Sequence, residues 1–168
     1  MKKQKLYMAY GSNLNLGQMA KRCPTAYIAC AGELPGYRLT FRGSPDSAVA
    51  TVEPCETMSV PVLLWRIQKK DEQALDWYEG FPHFYEKQDM SVLIGDSAVT
   101  AMAYVMTQGH ELGSPSPFYL ESILRGYESA GFDKAPIYEA LKFSKLNSGE
   151  TLSAPEIDSL NTYKLDLQ

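Results

Sequence analysis

The chain has 168 residues, 45% of them apolar and 21% charged, a globular composition with material for one core, which excludes a disordered or fibrous chain and leaves no room for a second full-sized domain. Sixteen basic against twenty acidic side chains give a formal charge of -4, so bulk charge draws it neither to nucleic acid nor to an anionic membrane, and a small-molecule partner is expected. The three cysteines, Cys23, Cys30 and Cys55, form no CxxC pair, and the two histidines, His83 and His110, have no partners at ligand spacing. No metal site, histidine-driven mechanism or disulfide framework is therefore expected, and the cysteines read as small packing residues and the histidines as surface residues.

Along the chain, Met1 to Lys5 is basic, as the start of an export signal is, but the apolar run behind it stops at Gly11. No stretch approaches the ~20 apolar residues of a membrane span, so a cytoplasmic protein is expected. Leu6 to Tyr10 reads as a buried strand ended by the turn Gly11-Ser12-Asn13, and Asn15 to Cys23 as a short helix closed by Pro24. Strands are predicted over Tyr37 to Arg42, Ala48 to Glu53 and Val60 to Ile67, with turns at Gly43 to Asp46 and Pro54 to Met58; Pro61 is expected at a strand start or edge. A helix over Asp71 to Glu79 stops at Gly80. Tyr85 to Ile94, Gly95-Asp96 and Ser97 to Met106 read as a hairpin.

Helical pattern follows. Ser116 caps, Pro117 takes the first helical position, and Leu120, Ile123, Leu124 and Tyr127 form an apolar stripe that ends at Gly131. Ile137, Ala140 and Leu141 suggest a further helix, and Ser153-Ala154-Pro155-Glu156 is a capping-box signature for a last one. Strands first and helices last imply an α+β fold, a curled sheet or small barrel with flanking helices. Residues 1–168 are expected to form a single domain in which 144–168 is a C-terminal helical extension.

Two places could carry chemistry. A strand-to-helix turn such as Tyr10-Gly11-Ser12-Asn13 aims backbone N–H groups at one point and lets a ligand approach the main chain; alternatively, Ser12 or Asn13 merely caps the helix. Ser12 as a nucleophile is disfavoured because the string is not G-x-S-x-G and neither histidine is placed as its base. Glu79, in the last turn of its helix, meets the negative end of the helix dipole among Trp77, Tyr78, Phe81 and Phe84, a setting that raises a carboxyl's pKa toward that of a proton carrier near neutral pH. The bland alternative is a solvated glutamate at a helix end. Asp76 reads as surface. Tyrosines cluster in or beside these segments, each offering an apolar wall with a hydroxyl that can orient a polar ligand.

Together these residues carry a family likeness. Tyr7-Met8-Ala9-Tyr10-Gly11-Ser12-Asn13-Leu14 resembles the opening signature of the gamma-glutamylcyclotransferase-like family. Leu75-Asp76-x-x-Glu79-Gly80 followed by Tyr85 resembles its catalytic segment, with a spacing from Glu79 to Tyr85 one residue shorter than the family's. Tyr104-Val105-Met106 and Ser114-Pro115-Ser116-Pro117-Phe118-Tyr119 resemble its later substrate-side segment. The resemblance implies a small mixed β-barrel with flanking helices that works without metal or cofactor. It also implies release of 5-oxoproline from a gamma-glutamyl amide, by attack of the glutamyl α-amine on its own γ-carbonyl.

By the same likeness Glu79 is the general acid/base. The segment Tyr7, Met8, Ala9, Tyr10, Gly11, Ser12 and Asn13 holds substrate, and Tyr85, Tyr104 and Tyr119 contact it. Two alternatives stay open: the same chemistry on a gamma-glutamyl amine or a gamma-glutamyl-protected biosynthetic intermediate, and a non-catalytic small-molecule-binding protein. The leaving-group pocket is expected among loops such as Gly43 to Asp46 and Gln108 to Ser114. Base rates for soluble enzymes allow a homodimer.

Overall fold

The computed structural model describes residues 3–147. Five strands close into a barrel: β1 (Lys5–Ala9), β2 (Tyr27–Arg42), β3 (Val49–Ile67), β4 (Tyr85–Ile94) and β5 (Ser97–Met106) stand in the order β1-β3-β2-β4-β5. Neighbours run antiparallel, from Lys5↔Ile67 to Ala9↔Leu63 and from Tyr85↔Met106 to Ile94↔Ser97. The exception is the parallel pairing of β1 with β5 at Tyr7↔Met102, which closes the ring. Met8, Leu34, Phe41, Val62, Leu64 and Val92 fill the interior. Among the described residues four α-helices flank it, α1 (Leu16–Arg22), α2 (Lys69–Glu79), α3 (Pro117–Ala130) and α4 (Ala135–Asn147). The mixed barrel with flanking helices is the fold expected from the sequence.

The long strands differ from the expectation. Tyr27 to Arg42 is one strand that begins ten residues ahead of the predicted Tyr37, and Val49 to Ile67 is continuous where Pro54 to Met58 had read as a turn. The pairing passes from Pro35↔Ser59 to Tyr37↔Pro54 through an irregularity at which Gly36 takes φ 77°. Turn-forming residues thus make a bulge rather than a break, since bulges take extra residues without ending a ladder. Pro61 sits inside β3, paired with Glu33 and beyond the stretch that β1 covers. There it interrupts only one side of the ladder.

Local chemistry sets the helices. Asn15, rather than Ser12 or Asn13, caps α1, its Oδ1 accepting from Gln18 N at 3.1 Å. Asp71 is 2% exposed, and its carboxylate accepts from Gln68 N and from the Thr25 hydroxyl, tying the start of α2 to the chain after α1. Ser116 caps α3, accepting from Tyr119 N at 3.2 Å with Pro117 at the helix start, and Gly131 ends it in the left-handed region. Gly126 lets α3 seat against the turn after β1: a Cβ there would lie 2.7 Å from that of Leu14. The expected capping box at Ser153, and most of the expected 144–168 extension, lie outside the described residues.

Candidate active site

One cavity gathers residues from six elements and the turn after β1. Tyr7 of β1, the turn Tyr10 to Asn13, Ala50 of β3, Glu79 of α2, Tyr85 of β4, Tyr104 of β5 and Tyr119 of α3 line it. Ser12 to Leu14 form a single 3₁₀ turn, held by Leu14 N to Gly11 O and Asn15 N to Ser12 O, both 3.0 Å. These bonds use the carbonyls of Gly11 and Ser12, and both residues line the cavity. The space between the side chains is about 30 Å³, room for a water molecule or two.

The tyrosine hydroxyls are fixed by backbone more than by one another. Ala50 holds two of them, its N–H donating to Tyr119 Oη at 3.0 Å and its carbonyl accepting from Tyr85 Oη at 2.5 Å. Tyr10 Oη donates to the Tyr104 carbonyl at 2.5 Å. Tyr104 turns its ring to the cavity, edge-on to Tyr7 at 5.8 Å, and sends its hydroxyl out to Asp76 Oδ1 at 2.6 Å. Burial pushes all five phenols above their ordinary range, so each remains a neutral donor at neutral pH.

Glu79 is the last residue of α2 and is followed by Gly80 at φ 64°, ψ 36°, a left-handed cap that turns the chain sharply. Its Oε1 accepts from Asn13 Nδ2 at 3.3 Å, and the same amide donates to Tyr7 Oη at 2.8 Å. Burial raises its pKa to about 7, against a smaller lowering by the Arg22 guanidinium. The carboxyl can therefore accept and return a proton near neutral pH. Among the described residues, no three His, Cys, Asp or Glu side chains converge as a metal site, and no helix is long and apolar enough to cross a membrane.

Of the positions expected from sequence, Tyr7, Tyr10, Gly11, Ser12, Asn13, Glu79, Tyr85, Tyr104 and Tyr119 face this one cavity. Met8 and Ala9 do not: both are buried in the core and lie outside the lining, Met8 because alternation along β1 turns it to the opposite face from Tyr7. The apolar setting of Glu79 is also not the expected one. Trp77 is 86% exposed, Tyr78 lies under Arg22 and Phe81 under Lys87, so the desolvating wall is the tyrosine ring with Ala50.

Two other expectations change, those for Asp76 and His110. Asp76 is no plain surface residue, since it bonds Tyr104 and Lys87. His83 is exposed, but His110 is partly buried, edge-on to Phe84 at 5.0 Å and bonded to Thr107. The loops proposed to hold a leaving group fasten to each other, through Gly43 N to Glu111 O and Ser114 N to Pro45 O. Sequence reasoning passed over Ala50, whose main chain does the work and whose side chain gives no signal.

The sequence matches the family model described as "Gamma-glutamyl cyclotransferase, AIG2-like" over residues 7–122, a span that includes every residue lining the cavity. The chain belongs to this family. Among its relatives, the Mus musculus protein named gamma-glutamylcyclotransferase is 30% identical over 135 residues, 75% of this chain and 71% of the relative. The Homo sapiens protein of the same name is 29% identical over the same shares. A solved structure named gamma-glutamyl cyclotransferase matches this cyclotransferase-family fold with a TM-score of 0.72 at 25% identity, covering 95% of this chain and 99% of that one.

Proposed function

We propose that this protein is a gamma-glutamyl cyclotransferase that releases 5-oxoproline from a small gamma-glutamyl amide in the cytoplasm, with Glu79 as its general acid/base. The observation that carries the reading is a carboxyl raised to about 7 inside a cavity walled by neutral phenols and a glycine turn. The family's named activity supports it.

The reaction needs little beyond placement and proton movement, because nucleophile and electrophile are parts of one molecule. Glu79 takes a proton from the substrate's α-amino group, and the freed amine attacks the γ-carbonyl. N–H groups at Gly11 and Ser12 support the oxygen's developing negative charge. The protonated Glu79 then gives its proton to the departing amine as the C–N bond breaks; as a carboxylate again, it takes the second proton from the ring nitrogen and passes it to the released amine, so that 5-oxoproline and an ammonium product leave and the carboxylate is restored. Tyr7, Tyr85 and Tyr119 orient the glutamyl group, and the Tyr104 ring closes one wall.

Incubation with a panel of gamma-glutamyl amino acids, peptides and amines, followed by mass spectrometry for 5-oxoproline, tests this. Release from one class names the leaving group. Binding without release from any member would make the protein a non-catalytic binder and overturn the proposal.

A further inference from the structure

We propose that Arg22 is the positioning residue of this cavity, the group that decides which end of the Asn13 amide meets Glu79. Arg22 does not line the cavity. It stands behind it at the end of α1, where Nη1 donates to Asn13 Oδ1 at 2.5 Å and Nη2 to Gln18 Oε1 at 2.7 Å. Its guanidinium carbon lies 3.5 Å from the centre of the Tyr78 ring, one residue before Glu79. Gln18 is held in turn by Nε2 to Ser122 Oγ at 2.6 Å, so the fork is anchored on both α1 and α3.

The consequence comes from donor counting. A guanidinium has donors and no acceptor. Only the Asn13 carbonyl oxygen can face it, and the two hydrogens of Nδ2 are therefore delivered to Tyr7 Oη and Glu79 Oε1. Tyr7, having accepted from Asn13, keeps its own hydrogen for the cavity. With Arg22 absent, the amide is free to rotate and set its oxygen against the carboxylate, which disfavours the ionised base.

The groups facing Glu79 from the packed elements are Arg22, Tyr7, Tyr10, Asn13, Tyr85, Tyr104 and Tyr119. Cys23 beside Arg22 is pushed up to about 12, chiefly by burial, and is neutral. Arg22 is thus the charged group in that set. A planar, stacked, two-pronged donor is a demand that lysine does not meet. Arg22 therefore acts on the proposed reaction through Asn13, and this inference rests on that reading for its kinetic consequence only.

The test uses Arg22→Gln and Arg22→Lys in the full chain, with Lys21→Met as a neighbouring charge control and Glu79→Gln to assign the Glu79 signal. Carboxyl ¹³C NMR follows the Glu79 titration, side-chain amide exchange follows Asn13, and 5-oxoproline release gives kcat and KM. In Arg22→Gln the Glu79 midpoint should rise by roughly 1 unit. In both Arg22 variants the Asn13 NH₂ hydrogens should exchange faster, and kcat should fall ~10–100-fold with KM changed far less. Lys21→Met should match wild type in all of these. An unchanged Glu79 midpoint in Arg22→Gln overturns the proposal, as does wild-type Asn13 exchange in Arg22→Lys; the latter decides alone if Arg22→Gln does not fold. Both NMR readouts need no turnover. A wild-type protein that releases no 5-oxoproline would sink the proposed activity and still leave the Arg22 assignment to be judged.

Discussion

Helix α2 presents its acidic side chains to two different surroundings. On one side Glu72 and Asp76 meet Lys87 at 2.9 and 2.8 Å, and Glu72 also meets Lys5 at 2.8 Å. On the other, Glu79 makes no ion pair among the described contacts and has only the Asn13 amide within reach. The titration follows the partners. The lysines hold Glu72 below its ordinary value in spite of its burial, whereas burial carries Glu79 up to about 7. Two carboxylates about two helical turns apart thus divide the labour: one fastens the helix to β1 and β4, the other is kept in reserve for protons.

The sharpest way to break this contrast is at Glu79. Glu79→Gln should lower 5-oxoproline release by ~10²–10⁴-fold while substrate still binds, which isothermal titration against turnover would show. Near-wild-type turnover in that variant would move the proton carrier elsewhere.

The same residue predicts a pH dependence of folding. Its folded pKa, about 7, lies above its unfolded value, so the folded state binds more protons between the two. Stability is then fully present below about pH 4.5 and is lost as pH rises through about 7, by an amount on the order of 3 kcal/mol. Urea melts of wild type against Glu79→Gln over pH 5 to 8 should show the slope in the first and its removal in the second. Parallel slopes would mean that Glu79 is not the desolvated group.

A smaller effect is expected on the paired side. Asp76→Ala removes the nearer of two acceptors of the Tyr104 hydroxyl and one partner of Lys87, and should cost about 1–2 kcal/mol in urea melts. Its turnover should fall much less than that of Glu79→Gln. A loss as large as that of Glu79→Gln would mean that Asp76 takes part in the proton transfer.

What the sequence made legible was local. The glycine turn, Gly80 after α2, the Gly95-Asp96 hairpin and Ser116-Pro117 each express a backbone preference that no distant contact is needed to settle. The unbroken lengths of β2 and β3 were hidden because pairing along the partner strand overrides the prolines and glycines inside them. Asp76 and Arg22 were hidden for a related reason. Their importance lies in what they touch, Tyr104 in one case and Asn13 with Tyr78 in the other, and the fold alone brings those partners together. Glu79 stood out in sequence, but for an apolar surround of Trp77 and Phe81 that turned out to face solvent.

The closure of the barrel also sets an order of events in the making of the protein. β1 is finished early in synthesis, yet its parallel neighbour ends at Met106 and the last cavity tyrosine is Tyr119. Until those residues have left the ribosome the first strand has no second edge to join, and the cavity that Tyr7 and Glu79 line lacks part of its wall. Ring closure across so long a chain separation is a late and slow contact. The burial that raises Glu79 therefore depends on wall residues, Tyr85, Tyr104 and Tyr119, that are all made after it.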